Sequence, residues 1–202
     1  IRLGFSKQGG ESANELGIDT DDVFVAKEDI EAFVYDFIKN DRKIEIIEHR
    51  QRTVEETGRW ATNGAFIHQQ HPDYPYIMCE LETYRGCGRK THCSFCTEPF
   101  YKESRYRPID DVVSEVSELY QSGARYFRIG RQPDLFTYHS IENEEDIPEP
   151  NPDAIEKLYK GIRDVAPDLQ VLHMDNVNPA TIARYPEKSR DIINTIIKYH
   201  TP

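Results

Sequence analysis

From Pro75 onward the chain alternates between short strand-like runs and helical runs, and this alternation constrains its fold more than any other feature. Pro75–Thr83 alternates and is rich in strand formers. Pro108-Ile-Asp110 then starts a helix with Val112, Val113, Val116, Leu119 and Tyr120 as its apolar set, and Gly123 stands where a C′ glycine ends a helix. Tyr126–Ile129 reads as the next strand, and the acidic, proline-containing stretch Ile141–Pro150 as a surface loop. Asn151-Pro152 caps a helix whose face is Ile155, Leu158, Tyr159, Ile162 and Val165. Leu169–Met174 is the third strand, Asn178-Pro179 opens a short helix, and Ile192, Ile193, Ile196 and Ile197 mark another. Repeated β-α units with short connections predict a parallel sheet, which right-handed crossovers curl in the direction of a barrel.

The front of the chain carries weaker signals. Residues 1–20 are poorly patterned, with a loop at Lys7–Ser12, and Asp22–Val25 has the makings of a short strand. Ile30, Phe33, Val34, Phe37 and Ile38 recur at helical spacing. Lys43–Glu48 reads as a further strand and 49–72 as a linker, which sets a boundary between an amino-terminal α/β region, 1–72, and a core over 73–202. His68 and His71 flank Gln69-Gln70 in that linker and are read as structural or solvated.

Three of the four cysteines fall in the loop that leaves the first core strand. Tyr84–Phe100 reads Y-R-G-C-G-R-K-T-H-C-S-F-C-T-E-P-F, placing Cys87, Cys93 and Cys96 at C-x5-C-x2-C spacing with Phe95 between the last two. The carboxyl ends of parallel strands are where α/β folds place their chemistry. Grouped thiolates are soft ligands that suit zinc or iron–sulfur. A four-cysteine zinc site would have to recruit Cys79 from within the strand, and zinc knuckles usually come as two C-x2-C pairs where this chain has one. His92 adjoins Cys93, and adjacent residues rarely point at one ion. Four cysteines in 202 residues are too sparse for a disulfide framework. The loop is polar apart from Phe95 and includes Gly88, so its order is expected to depend on a bound metal.

At these residues the chain resembles the radical S-adenosylmethionine (SAM) superfamily. The lead-in Glu80-Leu-Glu-Thr-Tyr-Arg-Gly-Cys87 is similar to that of its methylthiotransferase and Elongator-type branches. The commonest spacing in the superfamily is C-x3-C-x2-C, and C-x5-C-x2-C is a minority form. The resemblance implies an α/β fold: the amino-terminal part of a (βα)6 partial barrel of the radical SAM type, preceded here by a small α/β region. It implies that Cys87, Cys93 and Cys96 hold a 4Fe-4S cluster whose open iron chelates SAM. One electron then cleaves a C–S bond of SAM, and a 5′-deoxyadenosyl radical takes hydrogen from a substrate. It further implies an electron donor such as ferredoxin or flavodoxin.

The segment Ile129-Gly-Arg-Gln-Pro-Asp134 resembles the Gly-Gln variant of the family's segment after strand two. Gly130 would let the backbone approach the cofactor, and Gln132 could accept from the SAM ammonium. Asp175 and Asn176, after strand three, are expected at its ribose or methionyl part, and Phe95 beside the cluster and adenine. His173 is read as a core or surface residue, and Asn178 as an N-cap.

Acidic residues outnumber basic ones 36 to 25, giving a net charge of -11. That balance disfavours broad nucleic-acid binding but leaves room for a local basic patch, for which Arg85, Arg89, Lys90, Arg105 and Arg107 are the candidates. They are read either as solvated charges or as partners of an anionic group. No apolar run is long enough for a membrane helix, and clustered free cysteines fit a reducing cytoplasm. The chain begins at Ile1 and stops after a helical pattern at Pro202, as a piece of a longer protein would. The substrate is not legible. The competing expectation is a zinc-stabilised, non-enzymatic α/β binding module.

Overall fold

Local sequence signals account for most of the helix boundaries in the computed structural model, which describes residues 2–4, 23–25, 29–43, 46–48, 50–101 and 103–201. Packing divides the chain into two compact units, Ile1–Thr57 and Gly58–Pro202.

In the first unit, β1 (Arg2–Gly4) and β2 (Val23–Val25) pair in parallel with Leu3 opposite Phe24. Strand β1 had no sequence signal, and Lys7–Ser12 lies outside the described residues. Helix α1 (Ile30–Lys39) buries Ala32 and Phe33, and the Asp29 carboxylate caps it by accepting from the Glu31 and Ala32 N–H groups, each at 3.1 Å. The strand expected over Lys43–Glu48 is not formed by its described residues, 43 and 46–48, and Ile46 is exposed.

The stretch 49–72, read as a linker, contains α2 (Val54–Gly64) and a 3-10 turn, Ala65–Gln70. A capping box starts α2. The Thr53 hydroxyl accepts from Glu56 N–H at 3.1 Å, and the Glu56 carboxylate accepts from Thr53 N–H at 3.0 Å. Thr53-x-x-Glu56 was the available signal; the helix has few apolar residues, Val54, Trp60 and Ala61, and of its residues only Gly58 is buried. The boundary between the two units falls inside α2, so the residues between it and position 72 pack with the second unit. His68 is half-buried with Nδ1 2.6 Å from the Ala65 carbonyl oxygen, a structural contact, and His71 is exposed.

The second unit is built on a three-stranded parallel sheet, β3 (Met78–Glu82), β6 (Tyr126–Gly130) and β7 (Val171–Met174), paired in chain order. Leu81 lies opposite Ile129, and Ile129 opposite Met174. Between β3 and β6 come the antiparallel pair β4 (Tyr84–Arg85) and β5 (Arg105–Tyr106), then α3 (Ile109–Gln121). Gly123 follows the α3 cap with φ +103°, as its C′ position requires. Helix α4 (Pro152–Val165) leads to β7, and α5 (Pro179–Arg184) and α6 (Pro186–Tyr199) follow. Asn151 and Asn178 cap α4 and α5 as expected, accepting from Ala154 and Ala180 N–H at 3.3 and 3.0 Å.

The two faces of the sheet differ as period-2 alternation dictates. Cys79, Leu81, Phe127, Ile129 and Leu172 join a core with Val112, Val116 and Leu119 of α3, Ile155, Leu158, Tyr159 and Ile162 of α4, and Ile192 of α6. The other face is charged: Arg128 pairs with Glu80 at 2.9 Å and with Asp175 at 3.2 Å. The expected α/β class with a parallel sheet is therefore present.

Candidate active site at the strand carboxyl ends

The cysteine loop leaves the sheet through Thr83 and β4. Gly86 turns the chain with φ +86°, and its N–H donates to the Glu98 carboxylate at 2.9 Å. Cys87 and Cys96 are half-buried, Cys93 is exposed, and none is in a disulfide. Cys93 and Cys96 are joined by a turn in which Cys96 N–H donates to the Cys93 carbonyl at 3.1 Å. Burial pushes the Cys87 thiol above its usual range, and the nearby Cys96 and Cys93 thiols add to that shift while Arg89 opposes it. Among the described residues, no three side chains of the His, Cys, Asp and Glu types converge into a metal-holding group.

Cys79 stands apart. It faces the helices from β3 and is in the core, and burial pushes its thiol up to about 11. Phe95, expected beside the cluster and adenine, is 88% exposed.

Gln132 lies where the exits of the three strands meet, and it is buried. Its Oε1 accepts from the Thr83 hydroxyl at 3.2 Å, and its Nε2 donates to the carbonyls of Ile129 at 3.3 Å and Asp175 at 2.7 Å. One amide thus joins the residues at the ends of β3, β6 and β7. Its two donors are engaged inside the protein, which makes Gln132 a positioning residue here. Asn176, at φ +60°, closes the same frame by donating from Nδ2 to the Gln132 carbonyl at 3.0 Å. Gly130, at the end of β6, lies against Glu80: a methyl group there would collide with Glu80 Oε1. Asp175 is half-buried and its carboxylate faces Arg128. His173 stacks on His200 with ring centroids 5.1 Å apart.

Behind this frame, Asp134 is buried. Its carboxylate accepts from Thr181 Oγ1 at 2.5 Å and Phe136 N–H at 3.0 Å, and its carbonyl accepts from Tyr84 Oη at 2.7 Å. These contacts fix β4, the β6 exit and α5 to one another.

Most of the basic residues around the loop are committed. Arg85 pairs with Glu82 at 2.8 Å, and Arg89 with Asp146 at 3.2 Å; Lys90 Nζ donates to the Glu144 carbonyl. Arg107 is buried against Glu115 at 2.7 Å and donates to the Glu82 carbonyl at 2.8 Å, so it braces the base of the β4–β5 pair. The stretch Ile141–Pro150 is expected as a surface loop. It is closed by an Ile141–Glu149 bridge and folds back on the cysteine loop, lining with it a cavity of about 470 Å³. The loop's order therefore has protein contacts behind it at Gly86 and at 89–91.

The class these features define is an α/β protein with a three-cysteine loop at the carboxyl end of the first strand of its parallel sheet. No family model matches the chain. It is 44% identical over 204 residues to an uncharacterized protein of Methanocaldococcus jannaschii, with 99% of this chain and 37% of that protein covered. It is 48% identical over 145 residues to an uncharacterized protein of Archaeoglobus fulgidus, covering 71% of this chain and 26% of that protein. The chain therefore spans well under half the length of the curated relatives it matches. Among the described residues, no helix is long and apolar enough to cross a membrane.

Proposed function

We propose that this chain is a piece of a radical SAM enzyme that carries the amino-terminal part of its barrel, with Cys87, Cys93 and Cys96 as the ligands of a 4Fe-4S cluster. The observation that carries this reading is the placement of Cys87, Cys93 and Cys96 on one loop at the carboxyl end of a parallel strand. The donor set suits iron–sulfur chemistry: three soft ligands on one loop, two of them half-buried, with Cys79 withheld in the core. When bound, the cluster supplies the electron that cleaves SAM.

The chain's own residues bind and orient. Gly130 leaves the end of β6 without a side chain, and Asp175 and Asn176 stand at the end of β7, so these three are the proposed lining of the cofactor site. Gln132 keeps them in register with the start of the cysteine loop through Thr83. The consecutive order of the parallel strands supports the partial-barrel architecture. Thr201 supports it too: its N–H donates to Leu172 at 3.5 Å and its hydroxyl accepts from Leu172 N–H at 2.9 Å, on the flank of β7 where a fourth strand would lie. A reducing cytoplasm and a ferredoxin- or flavodoxin-type donor go with this chemistry.

Anaerobic reconstitution with iron and sulfide tests the reading. A brown iron–sulfide species with iron and sulfide in equal amounts is the expected result. One tightly held zinc without sulfide would replace it with the zinc-stabilised binding module.

A further inference from the structure

Between Cys87 and Cys93 the loop is polar, and Gly88, Lys90, Thr91 and His92 are all exposed. Such a segment has no apolar anchor and loses conformational entropy on ordering. Its order comes from the segment 141–149. The Asp146 carboxylate accepts from Thr91 N–H at 2.5 Å and from Arg89 Nη2 at 3.2 Å, while the Asp146 carbonyl accepts from Lys90 N–H at 3.2 Å. Three consecutive loop residues are thus held by one acidic residue, and bonds to a carboxylate are stronger than neutral ones.

The segment is itself braced from the far side. The Tyr185 hydroxyl donates to the Ile147 carbonyl at 3.1 Å and accepts from Asn143 Nδ2 at 3.0 Å. Lys188 pairs with Glu149 at 2.6 Å, and Arg184 with Glu145 at 3.0 Å. A continuous support therefore runs from α5 and α6 through 141–149 to residues 89–91, next to Cys87 and Cys93.

We infer that the segment 141–149 is a clasp that presents the cysteine loop to its metal, with Asp146 as the positioning residue. This rests on the iron–sulfur reading above. The clasp pre-orders the loop before metal arrives and slows the loss of metal afterwards.

Hydrogen exchange at residues 89–93 in the metal-free protein, and the rate at which a chelator bleaches the reconstituted cluster, test it together. In Asp146→Ala, exchange at Thr91 is expected to rise about tenfold, as for loss of a charge-assisted hydrogen bond, and bleaching to speed up several-fold. Asp146→Glu should restore part of both. A wild-type-like bleaching rate in Asp146→Ala overturns the clasp while leaving the iron–sulfur reading intact, whether or not exchange changes. If the wild-type protein forms no iron–sulfide species, the iron–sulfur reading itself fails and takes the metal role of the clasp with it.

Discussion

Gln132 Nε2 donates to the Asp175 carbonyl at 2.7 Å, joining the exits of β6 and β7, while its Oε1 holds Thr83 at the exit of β3. A buried amide with these partners contributes more by its absence than its presence, because truncation strands polar groups away from water. Gln132→Ala is expected to lower stability by about 2–4 kcal/mol, read from the midpoint of urea unfolding at unchanged slope. A loss under about 0.5 kcal/mol, the range of ordinary surface substitutions, would mean the three exits are held by other contacts.

The four cysteines divide three to one. Replacing Cys87, Cys93 or Cys96 with Ala should each abolish the iron content of reconstituted protein, and Cys79→Ala should leave it intact. Iron and sulfide analysis of the four variants decides it. Loss of metal in Cys79→Ala would require a four-cysteine site.

Cys79 also titrates apart. Burial pushes its thiol up to about 11, so the native state keeps this proton in a range where the unfolded chain has released it. The stability it contributes is complete below the ordinary thiol range and falls as pH rises toward 11, by at most about 1.4 kcal/mol per pH unit. In metal-free native protein at pH 8, an alkylating reagent should label the other three cysteines and spare Cys79 until the protein is unfolded. Peptide mapping of the labelled protein reads this directly, and early labelling of Cys79 would contradict its place in the core.

Two glycines separate folding from binding. At Gly130 the atoms nearest an added methyl all belong to the Glu80 side chain, which can swing away at the expense of a partly exposed pair with Arg128. Gly130→Ala should cost less than about 1 kcal/mol, the scale of such pairs, yet weaken SAM binding measured by calorimetry. At Gly86 the backbone is at φ +86° and the methyl would strike the Glu103 carbonyl, so Gly86→Ala should disrupt the loop and its metal uptake outright. Equal behaviour of the two variants would show that Gly130 does not adjoin the cofactor.

What the sequence determined by itself is the part governed by local chemistry. Apolar periodicity marked β3, β6, β7 and the helices between them, because burial of one face is decided by side chains a few residues apart. Asn151, Asn178 and Gly123 marked helix ends, since each satisfies or terminates backbone groups within its own turn. The spacing of Cys87, Cys93 and Cys96 on a strand exit was legible for the same reason. Helix α2 was missed because its apolar stripe is thin, although its capping box was there to be read.

Only the tertiary structure decided where long-range polar groups went. Gln132, read as a cofactor contact, spends its amide on Thr83, Ile129 and Asp175, the farthest 49 residues away. Arg107, read with the basic patch, is buried against Glu115. Asp146, in a segment read as plain surface, holds Thr91 across 55 residues. A hydrogen bond between distant residues has no periodic signature, because its geometry exists only after the chain has folded and brought the donor to its acceptor.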